Sequence, residues 1–171
     1  MYVMVDVETD GPIPGDYSMV SFGAVIVSAP LDKTFYSGPL APISSKWDPK
    51  ALAISGHDRE ILALTGQDPK ERMAAFEDWV LQNVPKKPVF ISDNNGFDWS
   101  FINWYFHHFL NRNPFGFSSQ NLNSIYKGMQ RDYYASFKHL RKTKHTHHPV
   151  DDAKGNAEAL LTILAKFKTR K

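Results

Sequence analysis

The chain begins with a stretch typical of a β-strand that also carries two acids. In MYVMVDVET, Asp6 and Glu8 follow a run rich in valine and methionine, with one residue between them. The valine content predicts a strand over residues 2–7. Side chains alternate across a strand, so Asp6 and Glu8 share one face, while Val5 and Val7 share the other. A fold for this chain therefore has to bring two carboxylates together on one face of its first strand.

The remaining patterns predict an α/β fold with a mixed β-sheet flanked by α-helices. Four segments have the valine or aromatic content and the bounding turns of strands: 2–7, 19–28, 33–40 and 88–92. Four others have helical apolar periodicity or a helix-start signal: 68–84, 97–110, 121–130 and the segment from Pro149. Residues 111–119 are predicted to form a loop. Three strands in an antiparallel meander, then helices around a further strand, indicate this fold class.

Length and composition favour one domain over residues 1–171, because 171 residues with 42% hydrophobic content can bury a core. The absence of cysteine excludes disulfides and cysteine–zinc sites, which suits a cytoplasmic location. No apolar run is long enough to cross a bilayer, and we expect no signal peptide. The formal net charge is only +2. The chain therefore lacks the strongly basic surface that is typical of proteins that bind nucleic acid without acting on it.

The paired acids of the first strand have two interpretations. Two carboxylates a few ångströms apart repel each other, and a divalent cation such as Mg²⁺ or Mn²⁺ relieves that repulsion. Alternatively, the strand end surfaces into water and both acids are solvated. The residues themselves leave both interpretations open.

Two later segments place further acids at helix starts. Asp98 follows a predicted strand and an Asn-Asn-Gly turn, where α/β sheets bind ligands. Asp151 and Asp152 follow His147 at the start of the last helix. In both segments the alternative is that an acid simply compensates the helix dipole.

Taken in order, these segments resemble the motifs of the DEDD superfamily of 3′–5′ exonucleases, in its histidine-bearing DEDDh, or DnaQ-like, branch. The three motifs are Asp6-Val7-Glu8, Asn94-Asn95-Gly96-Phe97-Asp98 and His147-His148-Pro149-Val150-Asp151-Asp152. Residues 51–62 look like the helical segment that the family carries between its first two motifs. The chain departs from the family at Pro149 and Val150, and at Asn121, where relatives often carry an acid.

The resemblance implies an RNase H-like fold and hydrolysis of single-stranded RNA or DNA from the 3′ end, with release of 5′-mononucleotides. It also implies two Mg²⁺ or Mn²⁺ ions. Asp6 would bridge both ions, Glu8 and Asp152 would complete the shell of one, and Asp98 would serve the other. His147 would act as general base. His145 and His148 compete for this role, but the spacing favours His147, which lies five residues before Asp152. A rival interpretation assigns zinc to the histidines of this loop: His145, His147 and His148.

The segment before the third motif, KHLRKTKHTHH, contains no acid and carries four basic side chains: Lys138, Arg141, Lys142 and Lys144. It is either a solvated loop or a set of contacts to substrate phosphates. Thr9 and Asn94 are further candidates for substrate contacts. A catalytically silent nucleic-acid-binding module on the same fold is the alternative function. The family analogy also suggests a homodimer, whereas the choice between RNA and DNA stays open.

Overall fold

The computed structural model describes residues 1–168, with side chains to residue 166. In chain order its strands are β1 (Tyr2–Thr9), β2 (Met19–Ile26), β3 (Thr34–Ser37), β4 (Val89–Ser92) and β5 (Ser119–Asn121). They form one sheet in the order β3-β2-β1-β4-β5. The β1 strand pairs antiparallel with β2 and parallel with β4, and β4 pairs parallel with β5. The predicted mixed sheet is therefore confirmed, with β1 at its centre.

The helices are α1 (Pro49–Ser55), α2 (Arg59–Thr65), α3 (Pro69–Asn83), α4 (Asn95–Leu110), α5 (Leu122–Gln130) and α6 (Pro149–Lys168), with a 3₁₀ turn at Lys138–Leu140. The first three begin at aspartates whose carboxylates accept hydrogen bonds from first-turn amides: Asp48, Asp58 and Asp68. Within residues 1–168, no helix is both long enough and apolar enough to span a membrane.

Two apolar clusters cover the two faces of the sheet. Val3, Val5 and Val7 belong to the cluster that contains buried residues of α3 and α4. Met4 points to the opposite face, into the cluster formed with α5 and α6. This arrangement confirms the alternation predicted for the first strand. It also puts Asp6 and Glu8 on the α6 side of the sheet.

Several elements differ from the sequence-based prediction, and β3 covers only Thr34–Ser37 of the predicted 33–40. The predicted loop 111–119 ends in β5, a three-residue edge strand of sequence SQN that only its pairing with β4 defines. The segment 51–62 divides into α1 and α2, because Gly56 adopts the left-handed conformation (φ 69°) and ends α1. Helix α4 starts two residues earlier than predicted, at Asn95.

Helix α6 reaches the sheet at a glycine. Gly23 of β2 lies opposite Asp6 of β1, and a Cβ atom built on Gly23 would lie 2.4 Å from the amide nitrogen of Val150. That distance is too short for any side chain, so only glycine allows this approach. The start of α6 is thereby held against the strand pair that carries Asp6.

We predict that Gly23→Ala lowers the free energy of unfolding by about 1–3 kcal/mol, because the added methyl group forces α6 away from β2. Gly128→Ala in α5 is the matched control, since no described atom beyond its chain neighbours and its own helix backbone lies within 4 Å of a Cβ atom at that position. Chemical denaturation of the two variants and the parent measures the difference. Equal stability of Gly23→Ala and the parent would contradict this account of the contact.

Candidate active site

The structure brings the predicted acids together from three elements. Asp6 and Glu8 stand near the carboxyl end of β1, and Asp98 lies in the first turn of α4, directly after the neighbouring strand β4. Asp152 lies in the first turn of α6. One oxygen from each of Asp6, Glu8 and Asp152 lies within 4.8 Å of the other two. Asp98 is close enough to Asp6 to be the largest charge acting on its pKa.

The electrostatics of this cluster are those of acids crowded into a partly buried space. Burial raises the pKa of Asp6 well above its usual value, and repulsion by Asp98 adds to the shift. Burial also raises the pKa of Glu8 to about 7, with a contribution from Asp152. The pKa of Asp98 rises to about 8, chiefly because the side chain is buried. A cation at this point would favour the ionised form of all three groups.

Asp98 provides a direct sign that the cluster fits a cation. Its side chain is buried, and its Oδ2 atom has no hydrogen-bond partner among the described residues. A buried carboxylate oxygen without a partner is costly, and coordination to a metal ion is one of the few ways to satisfy it. Carboxylate oxygens are the ligands that Mg²⁺ and Mn²⁺ prefer. The residues present therefore fit the ions that the resemblance implies.

Asp152 is held more firmly than the other acids. Its Oδ1 accepts from Nη2 of Arg141 at 2.8 Å, lies 2.7 Å from Nδ1 of His145, and accepts from the Thr146 amide at 3.3 Å. Its Oδ2 accepts from the amide of His147 at 3.0 Å. The loop before α6 thus folds around this carboxylate. Oδ2 therefore has fewer polar contacts than Oδ1.

The two histidines of the third motif point to different places. His147 has a left-handed backbone (φ 60°), and its Nδ1 lies 4.0 Å from Oε1 of Glu8. Its side chain is 48% exposed, so water reaches it. His148 instead stacks on Tyr36 of β3, with ring centroids 5.0 Å apart. Of the two, His147 is the one beside the carboxylates.

A second set of possible metal ligands overlaps the first. Among the described residues, His145, His147 and Asp152 also place ligand atoms within 4.8 Å of one another, whereas His148 belongs to neither set. The three-histidine zinc site is therefore not assembled. In the histidine set, the Oδ1 atom that contacts His145 also binds the Arg141 guanidinium. That positive charge disfavours a cation on the same oxygen.

The predicted substrate contacts divide into outward-facing and inward-facing groups. Lys138, Lys142 and Lys144 are exposed and line a cavity of about 320 Å³ that also borders Asp93. Arg141 contributes to the cavity wall, but its side chain is only 10% exposed and its guanidinium is paired with Asp152.

The two remaining candidates differ in how available they are to a ligand. Thr9 is buried, and its hydroxyl donates to the carbonyl of Gly11 at 2.8 Å. Asn94 is exposed at the start of α4, and its side chain makes no capping hydrogen bond. Thr9 therefore supports the turn after β1, whereas the Asn94 side chain is available to a ligand.

An ion pair that was not predicted from the sequence lies behind the first motif. Asp10 is buried, pairs with Arg59 at the start of α2, and accepts from the Ser18 amide at 2.5 Å. Arg59 also donates to the carbonyl of Ser44. The pair ties α2 to the end of β1. The available signal was the spacing, because Asp10 continues the two-residue repeat of Asp6 and Glu8.

The chain is similar in sequence to a known exonuclease. No protein-family model matches the chain. The chain is 37% identical to the 3′-5′ DNA exonuclease Cap18 of Escherichia coli over an alignment of 183 residues, which covers 100% of this chain and 95% of that protein.

Two solved structures share the fold at low identity. The nuclease domain of 3′hExo, a DEDDh family member bound to rAMP, superposes with a TM-score of 0.74 at 13% identity, over 96% of this chain and 92% of that one. Cell-death related nuclease 4 gives a TM-score of 0.75 at 16% identity, over 96% of this chain but only 64% of that chain. These similarities agree with the RNase H-like fold that the three motifs imply.

The raised pKa values predict how stability depends on pH without metal. Between the usual pKa of Asp98, 3.8, and its folded value of about 8, the folded protein binds more protons than the unfolded chain. Stability from this group is therefore greatest at low pH and is lost as pH rises through about 8. In chelator, we expect the parent to lose thermal stability relative to Asp98→Asn between pH 5 and 8.

Differential scanning calorimetry of both proteins in EDTA tests this expectation. Added Mn²⁺ should raise the Tm of the parent at pH 8 more than the Tm of Asp98→Asn, since the cation favours the ionised carboxylate. A difference in Tm that stays constant from pH 5 to 8 would mean that Asp98 does not titrate in this range.

Proposed function

The chain belongs to the DEDDh family of 3′–5′ exonucleases, and we propose that it degrades single-stranded DNA from the 3′ end through the four carboxylates and His147. The observation that carries this proposal is the convergence of all three motifs at one end of the sheet, with Asp6, Glu8 and Asp152 within 4.8 Å. The relative that matches along the whole chain is described as acting on DNA, which supports deoxyribose over ribose. The products are 5′-mononucleotides.

Two Mg²⁺ or Mn²⁺ ions are the proposed cofactors. Asp6, Glu8 and Asp152 would hold one ion, and Asp6 with Asp98 the other. When bound, a pair of such ions stabilises the attacking and leaving oxygens of an in-line phosphodiester displacement. The protein contributes the fixed positions of the carboxylates: two come from a central strand and two from first turns of helices packed on the sheet.

His147 is the proposed general base. Its exposed imidazole adjoins Glu8 at 4.0 Å, at the edge of the carboxylate cluster where a water molecule can enter. With Nδ1 facing Glu8, Nε2 is the nitrogen that would take the proton of the attacking water. The main-chain amide of His147 donates to Oδ2 of Asp152, and this bond fixes the position of the His147 main chain relative to that carboxylate.

The exposed lysines are the proposed contacts to the substrate backbone. Lys138, Lys142 and Lys144 line a cavity whose walls include His145, a contact of Asp152, and Asp93, whose charge acts on Asp6 and Asp98. The cavity therefore adjoins the carboxylate cluster. Phosphate contacts of this kind hold a strand in register without reading its sequence. Asn94, the exposed residue next to Asp93 at the start of α4, is a further candidate. A homodimer, by family analogy, and a cytoplasmic location are additional proposals.

The first experiment is digestion of 5′-labelled single-stranded DNA and RNA of matched sequence, with Mg²⁺, with Mn²⁺ and with chelator. We expect a metal-dependent ladder that shortens from the 3′ end of DNA and is absent with Asp6→Asn, because that change removes a charge shared by both ions. Faster cleavage of RNA would reverse the choice of sugar. Binding without cleavage of either strand would favour the silent binding module.

The same assay separates the two adjacent histidines. His147→Ala should lower kcat by about 10²–10⁴-fold, the usual contribution of a general base, whereas the matched variant His148→Ala should cleave at nearly the parental rate. His148 stacks on Tyr36, away from the carboxylates. The assignment fails if His148→Ala is the variant that loses activity.

The lysines predict a specific dependence on salt. The triple variant Lys138→Gln, Lys142→Gln, Lys144→Gln should bind oligonucleotides more weakly, and its plot of log affinity against log salt should be less steep by about 2, since each phosphate contact on a single strand contributes roughly 0.7. The control variant replaces three exposed lysines that do not line this cavity: Lys33, Lys70 and Lys86. Fluorescence anisotropy in chelator measures both slopes. Equal slopes would remove the lysines from the substrate path.

A further inference from the structure

We propose that Arg141 is a positioning residue that orients Asp152 for metal binding, and that Gly155 and Glu158 of α6 form the seat that holds it there. The proposal rests on the proposed function, because it assigns Asp152 as a metal ligand. It also gives Arg141 a role other than contact with a substrate phosphate.

The first support is the division of contacts on the Asp152 carboxylate. The cationic and imidazole groups of Arg141 and His145 both lie on Oδ1, at 2.8 and 2.7 Å. Among the residues that the structure describes, only a main-chain amide, that of His147, bonds to Oδ2. Rotation of the carboxylate is therefore restricted, and Oδ2 keeps a lone pair. One oxygen within this carboxylate lies within 4.8 Å of oxygens of Asp6 and Glu8.

The second support is the seat of the guanidinium on α6. A Cβ atom at Gly155 would lie 2.5 Å from Nε and 2.8 Å from Nη2 of Arg141, so the guanidinium occupies the space of the missing side chain. Asp152, Gly155 and Glu158 are spaced by three residues and follow one face of the helix. A glycine in the interior of α6 reduces helix stability, and the position of Arg141 accounts for its presence.

The third support is the anchoring of the chain on both sides of this seat. Glu158 accepts hydrogen bonds from the amides of Lys142 and Thr143 at 2.7 and 2.8 Å, and from the Thr143 hydroxyl at 2.9 Å. The segment after Arg141 is therefore fixed to α6 one turn beyond Gly155. With the main chain fixed there, the arginine side chain reaches back along the helix to Asp152.

The charge and shape of arginine suit this role. The side chains of Arg141 and Asp152 are 10% and 1% exposed, so the pair is shielded from water. The guanidinium is positively charged and planar, and its Nη2 atom donates to Oδ1 of Asp152, which holds that oxygen on the arginine side. Residues that orient a metal ligand in this way typically contribute 10–100-fold to metal affinity or activity.

The experiment measures Mn²⁺ binding to the full chain by isothermal titration calorimetry and electron paramagnetic resonance, without substrate. Arg141→Met removes the guanidinium at similar bulk, and Gly155→Ala displaces it without touching Asp152. We expect both variants to bind Mn²⁺ about 10–100-fold more weakly than the parent. Gly128→Ala is the control for an added methyl group in a helix, since no described atom beyond its chain neighbours and its own helix backbone lies within 4 Å of that methyl group.

A double-mutant cycle distinguishes positioning from a general effect on folding. In the Asp152→Asn background, Arg141→Met should cause no further loss of Mn²⁺ affinity, because both changes act through one ligand. Equal loss in both backgrounds would overturn the proposal. So would parental or tighter Mn²⁺ binding by Arg141→Met or Gly155→Ala.

Failure of the proposed function gives a different result. If the parent cleaves no nucleic acid but the Mn²⁺ affinities follow the expected pattern, the positioning role stands and the exonuclease proposal falls. If the parent cleaves DNA while both variants bind Mn²⁺ normally, the exonuclease proposal stands and the positioning role falls. A parent that binds no Mn²⁺ would overturn both.

Discussion

Repulsion among four neighbouring carboxylates is the constraint on which the rest of the structure depends. Asp6, Glu8, Asp98 and Asp152 are gathered in a partly buried space. Burial raises the pKa of the first three, and repulsion by other members of the cluster adds to the shifts of Asp6 and Glu8. Such a cluster is unfavourable for folding when no cation occupies it. The rest of the fold must then hold the carboxylates together. The two apolar clusters on the faces of the sheet provide that imposed geometry. Relief of this repulsion then contributes to the affinity of the cluster for divalent ions.

The sheet order explains why these acids meet. The central strand β1 carries two of them, and its parallel neighbour β4 leads directly into the helix that carries Asp98. Carboxyl ends of parallel strands share one edge, where α/β folds bind ligands. Asp152 comes from helix α6. It lies near Asp6 because Gly23 lets the start of α6 contact β2 opposite Asp6. The site therefore depends on one strand pairing and one helix–sheet contact.

Local sequence patterns were enough to predict the elements that carry the acids. They were not enough to predict the elements that tertiary contacts define. The alternation in β1, the periodicity of α4 and the start of α6 are properties of short segments, so the sequence predicted them and the positions of the four acids. Strand β5 has no strand-forming residues, and its pairing with β4 alone makes it a strand. The inward position of Arg141 depends on Gly155 and Glu158, which lie 14 and 17 residues further along the chain.

Two arginine–aspartate pairs, each with a buried aspartate and a partly buried arginine, hold the segments beside the carboxylates. Arg59 binds Asp10 and fixes α2 to the end of β1, and Arg141 binds Asp152 and fixes the histidine loop to α6. Buried ion pairs add little net stability, because desolvation offsets most of their attraction. Arginine also has a planar fork that lysine lacks. Geometry at the site, rather than stability, is therefore the better explanation for both pairs. The exposed lysines between residues 138 and 144 remain available for phosphates, so one basic segment provides both the support of a metal ligand and the path of the substrate.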